Sequence, residues 1–122
     1  MKRDMDLCRE ILRQIEEHPH SNSEVEIAVE GRTWQEVAYQ VYLLDQARLI
    51  EAVESTSGDE PDLDYTPMRL TWWGHEFLDA ARSDTVWNRA KSRFGKAAGA
   101  LTFDLLLAVL KEEIRGLIDL DS

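Results

Sequence analysis

Few residues in this chain have the type and spacing that chemistry could use. His75, Glu76 and Asp79 form a histidine–carboxylate cluster in helical register. Positions 75 and 79 lie one turn apart and could face one cation. Two ligands do not make a metal centre, however, and the plainer reading is a polar helix face. His18 and His20, in "HPH", read as a turn. Cys8 falls on an apolar stripe and reads as a core residue rather than a nucleophile. The chain has no G-x-S-x-G, no glycine-rich phosphate loop, no H-E-x-x-H and no C-x-x-C. The expectation is a noncatalytic protein with no catalytic residues, no cofactor and no metal site.

Charge is the second source of chemistry. Across 122 residues the net charge is −10, with 24 acids against 14 bases. Such a balance argues against nonspecific attraction to nucleic acid or anionic membranes. The acids are concentrated. Residues 24–64 contain Glu24, Glu26, Glu30, Glu36, Asp45, Glu51, Glu54, Asp59, Glu60, Asp62 and Asp64, against Arg32 and Arg48 alone. A local basic strip follows later in the chain. Arg82, Arg89 and Lys96 are seven apart and Arg93 lies four beyond Arg89, so the four can share one helical face; Lys91 lies off that line. Such a strip could follow a phosphate backbone or a protein partner. It could also be a solvated face or an internal partner for the acidic lobe.

These residues need elements to place them. Met5, Cys8, Ile11, Leu12 and Ile15 recur at helical spacing, so a first helix is predicted from Asp4 to His18, capped by Asp4. "EVEIAVEG" alternates Val25, Ile27 and Val29 with glutamates, which predicts a half-buried strand closed by Gly31. "TWQE" is a capping box, with Thr33 at the cap and Glu36 three residues on. It opens a second helix whose buried stripe is Trp34, Val37, Ala38, Val41 and Leu44. The candidate exposed face carries Gln35, Tyr39, Gln40 and Gln46. "LIEAVEST" and "YTPMRLT" then read as two hairpin strands around the acidic turn "SGDEPDLD". Pro67 confines the second strand to an edge or its start.

Thr71 is the expected cap of a third helix with Trp73, Phe77, Leu78 and Ala81 inward and Trp72 on the other side. Gly74, in its first turn, calls for a packing reason, because glycine there costs about 1 kcal/mol relative to alanine. Ser83 or Asp84 caps a fourth helix, "TVWNRAKSRFGKAAG". Thr102 caps a last one, reaching to about Ile118. Along it, Phe103, Leu107, Leu110, Ile114 and Leu117 fall on one side, with Leu106 and Ile118 beside them. One helix cannot bury this whole surface against a thin core, so a homodimer seam is a candidate role, with packing on the first helix as the alternative.

"MKRDMDLCREILRQIEE", "YLLDQARLIEA" and "RLTWWGHEFLDAARSDTVWNRAK" resemble the bacterial and phage family known as domain of unknown function 2513. The resemblance spans nearly the whole chain. It implies a short single-domain protein with a winged-helix-like core. "LLDQARLIEA" also resembles the ending of recognition helices in winged-helix repressors, which usually carry glycine where this chain has Arg48. The stretch before Thr33, which a helix-turn-helix would fill with a positioning helix, is here mostly "VEIAVE".

The fold expected is therefore mainly α with a small β-hairpin: a winged-helix-like domain over 1–122, with its core at 1–83 and two additional helices at 84–122. With one cysteine, no internal disulfide is available, and "MKRDMDL" lacks the apolar stretch of a signal peptide. A cytoplasmic location is the default, and no membrane partner is expected. The first functional reading is a phage- or prophage-type regulatory or protein-interaction module. The alternatives are a winged-helix DNA-binding regulator and, further off, an acidic mimic of DNA.

Overall fold

All five helices among the described residues begin where the sequence supplies an oxygen to cap them. In a computed structural model, which describes residues 1–95 and 101–121 and side chains up to residue 119, α1 spans Met5–Glu17 and the Asp4 carboxylate accepts from the Leu7 N–H. The second helix, α2, covers Trp34–Gln46 behind a complete capping box, in which Thr33 and Glu36 bond each other's backbone N–H. An antiparallel hairpin follows at once: β1 (Ile50–Glu54) and β2 (Tyr65–Leu70). Next come α3 (Trp72–Ala80), α4 (Asp84–Ser92, capped by Ser83) and α5 (Phe103–Asp121). Thr102 caps α5 through the Leu105 N–H. The fold is mainly helical with one small hairpin, and α2 running directly into that hairpin is winged-helix-like order.

The residues group into two compact units, 1–75 and 76–122, and the division falls within α3. The core of the first combines Ile11 and Leu12 of α1 with Val41 and Leu44 of α2 and Ile50 of β1, all nearly inaccessible. At about 1.5–3 kcal/mol per fully buried side chain, such burial is the main stabilising term. In the second unit Phe77 stands edge-on to both Trp87 and Phe103, at ring-centroid distances of 6.2 and 5.3 Å. Leu106 and Leu110 of α5 are fully buried.

The expected strand over 24–30 does not form. Only the Val25 N–H joins a strand, donating to the Pro67 carbonyl at 2.8 Å. Farther along, the Gln14 side-chain amide occupies both backbone groups of Ala28, at 3.0 and 3.3 Å. A side chain thus stands where a neighbouring strand would be, and the segment stays extended without a ladder. The expected alternation of burial is nevertheless present: Val25 is buried and Ile27 and Val29 are half-buried, while Glu24, Glu26, Ala28 and Glu30 are exposed. Helix α4 is also shorter than expected. It ends at Ser92, and Gly95 adopts a positive φ of 46°.

The end of α2 is built with a residue that the geometry disfavours. The Leu49 N–H reaches the Leu44 carbonyl and the Arg48 N–H reaches that of Asp45, a Schellman closure. It requires a left-handed residue at position 48, and Arg48 takes that conformation, with φ 64°. The next peptide then receives the start of α3. Thr71 donates its N–H to the Leu49 carbonyl at 3.0 Å and its hydroxyl to the Arg48 carbonyl at 2.6 Å. The same hydroxyl accepts from the Gly74 N–H at 3.1 Å, capping α3. A Cβ at Gly74 would lie 2.0 Å from the Leu49 carbonyl oxygen. That contact is the packing reason for glycine in the first turn of α3.

A buried polar cluster fixes the other end of this unit. Gln40, only 2% exposed, accepts from the Asp4 N–H at 2.9 Å and donates to the Lys2 carbonyl at 2.8 Å. The Cys8 thiol donates to the same amide oxygen at 3.4 Å. Burial, reinforced by the Asp4 charge, pushes the Cys8 thiol up to about 12. Asp4 in turn pairs with Arg32 at 2.7 Å.

Substitutions at the turn should act with opposite signs. Gly74→Ala is expected to lower stability by about 1–3 kcal/mol, because the methyl meets a backbone carbonyl with no slack. Arg48→Gly should raise it by up to about 1 kcal/mol by removing left-handed strain. Urea denaturation midpoints check both. At Cys8 the folded protein holds its proton more tightly than the unfolded chain. Its contribution is therefore complete below pH 9.0 and is lost as pH rises from there towards about 12. The fall should reach about 1.4 kcal/mol per pH unit. Stability measured against pH for the parent and Cys8→Ala should show the parent's steeper alkaline slope; parallel slopes would refute it.

Candidate interaction site

The first unit carries an open groove of about 420 Å³. One wall is α2, where Trp34, Val37, Ala38 and Val41 recur at the spacing of a single helix face. The second is the extended segment from Glu24 to Ile27. The third is the start of β2, Tyr65 to Pro67, with Asp64 just before it. Val25, Val37, Ala38 and Val41 are buried and make an apolar floor. Glu24, Glu26 and Asp64 bring three carboxylates to the lining, and no basic residue lines it.

Two aromatic residues complete the groove. Trp34 is the first residue of α2, immediately after its cap, and is 56% exposed. The helix begins there, so no preceding turn covers the indole. The helical spacing placed Trp34 on the buried stripe; the structure corrects this. Tyr65 is half-buried, and burial followed by the nearby Glu54 charge holds its phenol above the usual value. Its ring lies edge-on to Tyr42 at 5.2 Å, and Tyr42 lies 5.9 Å from Tyr39, so an aromatic run continues from the groove along α2.

The remaining sequence-derived positions scatter. On the candidate exposed face of α2, Gln46 is exposed, and Gln35 and Tyr39 are half-buried. Gln40 is not on that face: it is buried, because the first residues of the chain fold over it and use both ends of its amide. Trp73, expected inward, is 63% exposed, and Trp72 is exposed beside it.

In the basic strip, Arg82 pairs with Asp79 at 2.6 Å. Arg93 pairs with Glu112 at 2.9 Å and lies 3.7 Å from Glu113. Arg89 is exposed and has no ion pair among the described residues; Lys96 lies outside those residues. The ammonium of Lys91 sits 5.6 Å from the centre of the Trp87 ring. Two of the strip's cations are thus already matched by acids of their own unit.

Along the candidate seam of α5, Leu110 is fully buried within its own chain and cannot be offered to a second copy. Phe103, Leu107 and Ile114 are half-buried and Leu117 is exposed. The largest exposed apolar side chains of the helix are instead Leu105, Leu117 and Ile118. Among the described residues, no three histidine, cysteine, aspartate or glutamate side chains gather to hold a metal, and no helix is long and apolar enough to cross a membrane.

The groove itself escaped the sequence reading. Its signals were Trp34 directly behind a capping residue and paired glutamates at 24 and 26, but only the docking of 24–27 on β2 joins them.

Comparison with known proteins bears on most of the chain. An uncharacterised protein of Haemophilus influenzae (strain ATCC 51907 / DSM 11121 / KW20 / Rd) is 37% identical over 110 residues, covering 89% of this chain and 92% of its own length. No solved structure matches. Residues 2–100 match the profile of the family described as "Hypothetical protein (DUF2513)", and with four-fifths of its length inside that match the chain belongs to the DUF2513 family.

Proposed function

We propose that the protein is a noncatalytic regulatory module of phage or prophage type that works through protein contacts. The observation that carries this reading is electrostatic. The winged-helix-like unit concentrates acids around α2 and its hairpin, where a DNA-binding winged helix needs cations. On α2 itself, Glu36 is engaged in the capping box and Asp45 accepts from the Ala52 N–H, so both carboxylates are fixed parts of that surface. The basic strip does not offset this. Arg82 and Arg93 hold carboxylate partners that a phosphate would have to displace. An acidic, aromatic surface with few cations of its own suits a protein partner better than a nucleic acid.

Binding to random-sequence duplex DNA at low salt, followed by a salt titration, tests this. The expected result is no measurable binding even at about 50 mM salt, a condition that favours nonspecific DNA affinity. Binding that weakens steeply with salt and disappears when Arg89 and Arg93 are changed to glutamate would overturn the proposal in favour of a DNA-binding regulator.

A further inference from the structure

We propose that the groove between α2, the 24–27 segment and β2 docks a basic segment of a partner protein, with an arginine side chain laid against Trp34. This rests on the reading that the protein works through protein contacts, and it adds the chemistry of the partner. Three independent features converge on a cation carried by an apolar stem. The floor is apolar and buried, so it can cover the methylenes of a long side chain. Trp34 presents more than half of its surface at the edge of that floor, and an indole is the best aromatic face for a cation.

The third feature is unmatched negative charge. Glu24, Glu26 and Asp64 have no ion pair among the described residues. Three other acids of the same unit do have an internal cation: Asp4 and Glu36 share Arg32, and Glu51 pairs with Arg69. The groove therefore gathers carboxylates that the protein does not itself neutralise, around a surface that an apolar or acidic ligand would desolvate at a loss.

Arginine fits better than lysine. Its planar guanidinium can stack on the indole while its N–H groups reach a carboxylate, two contacts that a compact ammonium cannot make together. The surrounding field favours the same partner, since residues 24–64 carry eleven acids and two bases, which would speed the approach of a basic chain at low salt.

The test uses the full chain and an acetylated, amidated octapeptide of alternating arginine and valine, with lysine and glutamate analogues. Calorimetry gives affinity, and amide and indole N–H shifts locate the site. The arginine peptide should bind, the lysine peptide more weakly and the glutamate peptide not at all. Shifts should centre on the Trp34 indole and on the Val25 and Tyr65 amides. Trp34→Ala should weaken binding about tenfold, the scale of a well-placed cation–aromatic contact. Glu26→Lys combined with Asp64→Lys should abolish it. Glu26 is exposed and Asp64 half-buried, and unchanged thermal unfolding of the double variant would establish that its loss is not unfolding.

Equal binding of the glutamate peptide, no binding of any peptide, shifts centred away from the groove, or parent-like affinity in both variants would each overturn the groove assignment. None of these would touch the protein-contact reading, which stands or falls separately on the absence of DNA binding.

Discussion

The carbonyl of Leu49 is the point on which the first unit turns. It receives the Thr71 N–H, and it occupies the space where any residue but glycine at position 74 would place a side chain. Four elements meet there: α2 ends, β1 begins, β2 ends and α3 starts. Because the contact is between main chains, its geometry is set by backbone closure and not by side-chain packing. The left-handed Arg48 is part of the same constraint. Helix α2 must close tightly enough to launch β1 under the first turn of α3, and the chain accepts about 1 kcal/mol of local strain to do so. Strain held by surrounding structure in this way depends on the joint being over-determined, and four hydrogen bonds from or to Thr71 supply that.

What could be read in advance was local. The caps at Asp4, Thr33, Ser83 and Thr102 were legible because a cap is a contract between residues three apart. The hairpin was legible for a similar reason, from two β-prone runs around a turn. The strand expected at 24–30 failed because a strand depends on its neighbour, and no sequence signal reveals that Gln14 will supply the hydrogen bonds at Ala28. Gln40 failed in the opposite sense. A polar residue on a helix reads as exposed unless distant backbone groups are known to satisfy it, and those groups belong to Lys2 and Asp4. The spacing of the basic residues was read correctly, but the acids that answer Arg93 come from α5, some twenty positions along.

The groove shows why function is harder to read than fold. Its contributors lie in three stretches that periodicity treats separately. Helical spacing assigned Trp34 to the core because it counts positions and ignores where a helix begins; at a first turn the core face has no preceding turn to cover it. The glutamates at 24 and 26 read as the solvent side of a strand, and Asp64 as part of a charged turn. Only the docking of the extended segment on β2, marked by the bond from Val25 to Pro67, turns these surface features into one concave site.

The nature of the contact at Gly74 also has a consequence for how related sequences can vary. Most tight contacts join two side chains, so enlarging one can be answered by trimming the other, and the pair drifts together. Here the obstacle is a peptide oxygen, which every residue type at position 49 would place in the same spot. No exchange at 49 can make room at 74. Position 74 is thus held to a single residue type while its contact partner stays free to change, and a search for paired substitutions would find no link between the two positions.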